Sequence, residues 1–128
     1  MSAFLRKFEP YVYVLFRVTV GSLFIFHGLQ KIFGWYGGTQ VDYLSRAGAA
    51  GFIEMIGGAA VALGAWTVPA AFIASGEMAA AYYIAHLPRG PWPILNGGEL
   101  AAVYCAAFLY IATHGPGLLS LDGLMRRR

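Results

Sequence analysis

Four apolar stretches dominate the pattern of this chain. The first, YVYVLFRVTVGSLFIFHGLQKIF, runs from Tyr11 to Phe33. The second spans about Ala49 to Trp66, the third Pro69 to Leu87 and the fourth Gly98 to His114. Crossing roughly 30 Å of hydrocarbon takes about 20 helical residues, with 17–25 usual. The first three stretches meet that length and the fourth sits at its lower limit. Thr67-Val68-Pro69 reads as a tight turn with proline at or near the first helical position, so the second and third helices form an antiparallel hairpin. Gly34–Gly48 reads as a loop broken by Gly37-Gly38, and Pro88–Gly98 as a loop stiffened by prolines around Trp92. Gly115-Pro116 ends the fourth helix. The tail, residues 117–128, then carries LLSLDGLM as an amphipathic foot at the membrane surface. The predicted fold is all-α: a single integral membrane four-helix bundle covering residues 1–128.

Composition supports lipid as the solvent. Apolar residues make up 59% of the 128 residues and charged residues only 12%, against about 25% charged in a soluble domain. So short a chain has no large interior in which to hide that much apolar area. Small residues supply surfaces for close helix approach: Gly21 and Gly28 on the first helix, Gly57, Gly58 and Gly64 on the second, Ala70, Ala71, Ala74, Ser75, Ala79 and Ala80 on the third.

The net charge of +3 is placed at membrane flanks, and no aromatic-basic interleaving or recognition motif accompanies it, which excludes a nucleic-acid partner. Arg6, Lys7, Arg17, Arg126, Arg127 and Arg128 lie near the termini; Lys31, Arg46 and Arg89 lie near the two long loops. This bias places both termini in the cytoplasm and both loops outside, in a multi-pass protein of the cell inner (cytoplasmic) membrane. Trp35, Tyr36, Tyr43 and Trp92 then form an outer aromatic belt. The first helix is read as retained rather than cleaved, because Arg17 interrupts it, Glu9-Pro10 stands at its entrance and no A-x-A site follows. Cys105 is the single cysteine. It excludes an internal dithiol pair and reads as small apolar filler.

Candidate chemistry lies in the ionisable residues within these stretches: Arg17, His27, Glu54, Glu77, His86 and Glu99. A charge at a helix centre in hydrocarbon costs roughly 2.5–3.5 kcal/mol on the most forgiving scale. Such groups must pair, line a wet cavity or bind something. Counting along each span brings His27, Lys31, Glu54, His86, Asn96 and Glu99 to one end of the bundle, as a polar pocket. Arg17 and Glu77, at depths of roughly 9 and 12 Å, are expected to form a buried ion pair. One objection concerns His86, nine residues after Glu77 and half a turn off at the α-helical angle. Both face one groove only if the helix unwinds near Pro88.

The cluster supports several chemistries. Two imidazoles and two carboxylates are metal ligand types, but no Glu-x-x-His or His-x-x-x-His pair occurs, so a metal is disfavoured. Haem between His27 and His86 is disfavoured too. Two readings remain: a pocket for a quinone head group, with His27, Lys31 and Glu54 as donors or proton carriers, and a self-satisfied network holding the loops on the bundle. No catalytic residue is assigned. A transporter reading is weaker, because no inverted repeat is visible.

The order and spacing of residues resemble the DoxX family of small four-helix membrane proteins. Arg17, Gly21, His27-Gly28, Lys31 and Phe33-Gly34 carry the resemblance in the first helix, followed by Gly51-Phe52, Glu54, Gly57-Gly58, Leu63-Gly64, Thr67, Ala70-Ala71 and Met78. It continues through His86, Asn96-Gly97-Gly98-Glu99, Tyr104, Gly115-Pro116-Gly117 and Ser120-Leu121-Asp122. The family takes its name from a membrane subunit associated with thiosulfate:quinone oxidoreductase, and other members are linked to membrane oxidoreductase complexes. The resemblance implies a membrane subunit of a quinone-linked redox complex, with membrane or periplasmic redox proteins as partners, rather than an autonomous enzyme. Sulfur chemistry would fall to a partner, since this chain lacks the cysteines for a thiol relay. The alternative is a non-catalytic assembly protein whose polar cluster is structural.

Overall fold

A computed structural model describes residues 1–126; Arg127 and Arg128, the end of the expected amphipathic tail, lie outside the described residues. Every regular element among the described residues is helical. A short helix α1 (Ser2–Arg6), not foreseen from the sequence, precedes α2 (Glu9–Phe33). Helix α2 begins two residues earlier than expected, with Glu9 and Pro10 in its first turn. An acid suits the helix N-terminus and proline loses no hydrogen bond there. The helix stops at Gly34, whose φ of 69° gives the left-handed C-cap and whose amide bonds back to Gln30.

Helix α3 (Arg46–Leu63) also starts earlier than the apolar run, because the Ser45 hydroxyl caps it by accepting from the Gly48 amide at 3.0 Å. It ends at Gly64, again left-handed (φ 67°). The turn expected at Thr67–Pro69 is instead the first turn of α4 (Thr67–Ala81), and the true connection is Gly64–Trp66. Trp66 is forced into the left-handed region (φ 46°) and has no oxygen with which to cap the helix. Asp122, from the tail, takes that role. Its carboxylate accepts from the Trp66 amide at 2.8 Å, the Thr67 amide at 2.9 Å and the Thr67 hydroxyl at 2.8 Å.

Beyond Ala81 the α geometry gives way to a π-helical turn (Tyr82–His86) and a 3-10 turn (Leu87–Arg89). The following loop contains a short helix α5 (Pro93–Asn96), then α6 (Glu99–His114) and α7 (Leu121–Met125). Three helical stretches, Glu9–Phe33, Arg46–Leu63 and Thr67–Arg89, are long and apolar enough to cross a membrane; Glu99–His114 is apolar but shorter.

The long helices form two closely associated pairs, α2 with α3 and α4 with α6. In the first pair Gly21 faces the backbone of Gly58 and Ala62, and Gly28 faces the backbone of Gly51 and Met55. Small residues are what allow such approach without a hydrophobic drive in lipid. In the second pair the Ser75 hydroxyl donates to the Cys105 carbonyl at 2.8 Å. Between the pairs, Phe24 packs 4.5 Å from Phe108 and 5.3 Å from Tyr104 by ring centroid, alongside Val61, Ala71, Ala74, Met78 and Ile111. Large apolar side chains such as Leu15, Phe72 and Val103 point outward, as a helical membrane bundle requires. Gly57 has open space around it, so it is not part of the packing surface expected for it.

The start of α2 and the end of α6 share one end of the bundle. Tyr13 stacks on His114 at 3.6 Å and donates to the Gly115 carbonyl, while His114 lies 3.4 Å from the Glu9 carboxylate. Arg17 belongs to this end.

Candidate functional site

The expected Arg17–Glu77 ion pair does not form. Arg17 is 1% exposed, and its guanidinium donates to backbone carbonyls: Pro116, Leu119 at 2.9 Å, and at longer range Leu118 (3.4 Å) and Ala62 (3.5 Å). It holds the turn after α6 against α3. Carbonyls of the turn after α6, and that of Ala62 in the last turn of α3, need donors, and a planar five-donor fork meets several at once. Glu77 forms no salt bridge among the described residues, and its Oε2 is buried without a hydrogen-bond partner.

At that opposite end a cavity of about 290 Å³ lies between the helix pairs. Helix α2 contributes Phe24, His27 and Lys31; α3 contributes Glu54. The other pair supplies Met78, Ala81, Ala85, His86, Leu100, Ala101 and Tyr104, with Gly97 from the loop. Four of the six residues expected to form a pocket, His27, Lys31, Glu54 and His86, thus line one space. Lys31 is ion-paired to Glu54 Oε1. Glu54 is itself 1% exposed, and its Oε2 has no hydrogen-bond partner among the described residues; nor has Oε2 of Glu77.

His86 follows Met78, Ala81 and Ala85 on the cavity side of this segment, at the end of the π turn Tyr82–His86, whereas Glu77 does not line the cavity. Single π turns of this kind recur at functional sites.

Asn96 and Glu99 take other places. Asn96 is buried but ties the loop together. Its amide donates to the Gly90 carbonyl at 2.9 Å and the Tyr82 hydroxyl at 3.2 Å, and its Oδ1 accepts from the Gly98 amide at 2.8 Å. Its backbone carbonyl lies 3.2 Å from His86 Nδ1. A carbonyl only accepts, so Nδ1 carries the hydrogen in this contact. Asn96 is therefore a positioning residue for His86. Glu99 is exposed in the first turn of α6 and does not line the cavity.

Sequence reasoning named Tyr104 only among the residues carrying the family resemblance, not as part of the pocket. Its ring stands 5.8 Å from His27, edge to face, on the cavity wall. The available signal was its spacing from Ala101 and Phe108, three before and four after, which puts all of them on the inward face of α6. Among the described residues no group of three or more His, Cys, Asp or Glu side chains converges as metal ligands.

The sequence profile of the DoxX family matches residues 12–87, more than half of the chain. The chain belongs to the DoxX family. A Haemophilus influenzae protein described as uncharacterized is 39% identical over 125 residues, covering 92% of this chain and 93% of its own. No solved structure matches the chain. This DoxX member is a small helical membrane protein, and its profile match takes in α2, α3, α4 and the π turn, which carry His27, Lys31, Glu54 and His86.

Proposed function

We propose that this DoxX protein is an integral membrane subunit that works beside a quinone-linked redox complex, and that its cavity receives the polar ring of a quinone-class ligand. The observation carrying this reading is the unpaired Oε2 of Glu54, buried beside a space walled by His27, Lys31, His86 and Tyr104. A buried acceptor without a partner costs about 1–3 kcal/mol, more when charged, so a ligand that satisfies it is favoured there. A space of about 290 Å³ lies just below the usual ligand range of roughly 300–1,000 Å³. That size suits a single ring, with an apolar tail left in lipid between the helix pairs.

In this proposal residues 1–128 act as one domain in the inner membrane, with both termini cytoplasmic and the ligand end outside, next to membrane or periplasmic redox partners. Support comes from Arg6, Lys7 and Arg126 lying at the Arg17 end, as positive-inside orientation requires. One observation favours the second reading, a non-catalytic assembly protein: Lys31 and Glu54 already pair directly. The unpaired carboxylate oxygens are what that reading leaves unexplained.

Thermal unfolding of the purified protein with a decyl-substituted benzoquinone, oxidised or reduced, separates the two. The ligand reading expects a raised midpoint that Ala85→Phe, which fills the cavity, abolishes. If neither redox form shifts the midpoint at saturation, the ligand reading is rejected.

A further inference from the structure

We infer that the groove beside Arg17 holds one anionic phospholipid of the surrounding bilayer. This goes beyond the quinone-class reading, which concerns the opposite end of the bundle. The groove lies between α2, α3 and the tail and has a volume of about 770 Å³, inside the usual ligand range of roughly 300–1,000 Å³. Val14, Val18 and Leu63 line it on the helix side, Leu119 and Leu124 on the tail side. Val18, Leu63, Leu119 and Leu124 are all exposed, so the groove opens onto the outward face of the bundle and offers an acyl chain an apolar bed.

Arg17, also in the groove wall, decides the head group. It is almost fully buried, so water does not solvate its charge, and it forms no salt bridge among the described residues. Backbone carbonyls occupy its terminal nitrogens but carry no net charge to cancel it, and its Nε is buried with no partner. The acids at this end are engaged elsewhere: Asp122 accepts from Trp66 and Thr67, and Glu9 faces His114. Buried charges in proteins are ordinarily paired, and an uncompensated one in a low-dielectric wall draws an anion into the adjoining space. That anion must also suit an apolar groove. A phosphodiester on acyl chains meets both demands; a free phosphate meets one. A zwitterionic lipid brings its own ammonium, which offsets the attraction, whereas an anionic lipid does not. Arg6, Lys7 and Arg126, at the same end, add to the preference, as basic residues near anionic lipid do.

The test is native mass spectrometry of the delipidated full chain in neutral detergent, titrated with dioctanoyl-phosphatidylglycerol, dioctanoyl-phosphatidylcholine or inorganic phosphate. The expected result is a single saturable phosphatidylglycerol adduct, bound about tenfold or more tightly than phosphatidylcholine, with no adduct from phosphate alone. Val18→Trp, which fills the groove from an exposed position, should abolish that adduct. Leu15→Trp, at an exposed position outside the groove, should leave it unchanged. Arg17→Gln, which keeps an amide donor but removes the charge, should bring the two lipids to equal affinity. Equal affinities on the unmodified chain overturn the inference, as does an adduct that Val18→Trp leaves intact or one that inorganic phosphate displaces. Because Arg17 also holds the turn after α6, the unmodified chain and Val18→Trp decide the matter even if Arg17→Gln does not fold. Failure here leaves the quinone-class reading untouched, since that reading is tested at the cavity of the other end.

Discussion

Replacing Gly28 with alanine adds one methyl group where α2 and α3 meet backbone to backbone. Its Cβ would lie 2.5 Å from the Met55 amide nitrogen and 2.7 Å from the Gly51 carbonyl oxygen, where ordinary contact begins at 3.4 Å. Neither neighbour is a side chain that can rotate away, so the helices must part locally by about 1 Å, a gap that forfeits a quarter to a half of the dispersion energy across it. Overpacking of this kind costs about 1–3 kcal/mol, and a backbone obstacle places Gly28→Ala in the upper half of that range. Alanine's better helix propensity returns at most about 1 kcal/mol. The net expectation is a loss of about 1–2 kcal/mol. Gly57→Ala is the matched control, since a Cβ there meets nothing within 4 Å and only the propensity gain remains. Reversible unfolding in mixed micelles, followed by circular dichroism, should therefore show the two substitutions moving stability in opposite directions. A Gly28→Ala protein as stable as the parent would refute the backbone contact between α2 and α3, and with it the position of Lys31 over Glu54.

Two further outcomes follow from the other end of the bundle. Asp122→Ala should cost about 0.5–2 kcal/mol as the loss of a helix cap. Burial alone pushes the Asp122 carboxyl up, but hydrogen bonds from Thr67 and Trp66 and the charge of Arg126 outweigh it and hold it below its usual value. Its contribution is thus fully present above the ordinary aspartate range and fades as pH falls through the lowered folded value; unfolding midpoints between about pH 5 and pH 2 should drop more steeply for the parent than for Asp122→Asn. Arg17→Lys replaces a fork that reaches several carbonyls with a point charge; it should lower stability by roughly 2 kcal/mol and speed hydrogen exchange through Leu118–Ser120, and unchanged exchange there would show that Arg17 does not hold the turn.

Much of this architecture was legible because lipid imposes one dominant signal. Spans of apolar residues had to be helices, and the glycines at 21, 28 and 58 had to mark close approach. Counting residues from the loops also brought His27, Lys31, Glu54 and His86 to one level. What escaped the sequence shares a physical cause: it depends on backbone groups or on distant residues. Arg17 was matched to Glu77 by a rule that pairs opposite charges, yet its partners are carbonyls, which carry no label in a sequence. Asp122 caps α4 from 55 residues away, so no local reading of Thr67-Val68-Pro69 could place the helix start. Ser45 was hidden among loop residues because its capping oxygen acts ahead of the apolar run. Glu99 fits the depth count but lies on the outer side of α6, a matter of rotation rather than level.

The π turn borders the cavity between the two helix pairs. Lys31 and Glu54 are fixed to each other by the glycine contacts between α2 and α3, whereas His86 and Tyr104 are carried by the other pair. Phe24, Phe108 and Val61 fill the seam between the pairs at mid-height, and above them the seam opens into the cavity. His86, at the end of the π turn Tyr82–His86, lines that opening, and the Asn96 carbonyl lies 3.2 Å from its Nδ1. A molecule bound there would bridge the two pairs at the end where His27 and Tyr104 meet only edge to face. Binding should therefore stabilise the whole bundle rather than one helix, and this is why a cooperative unfolding midpoint reports occupancy of the cavity.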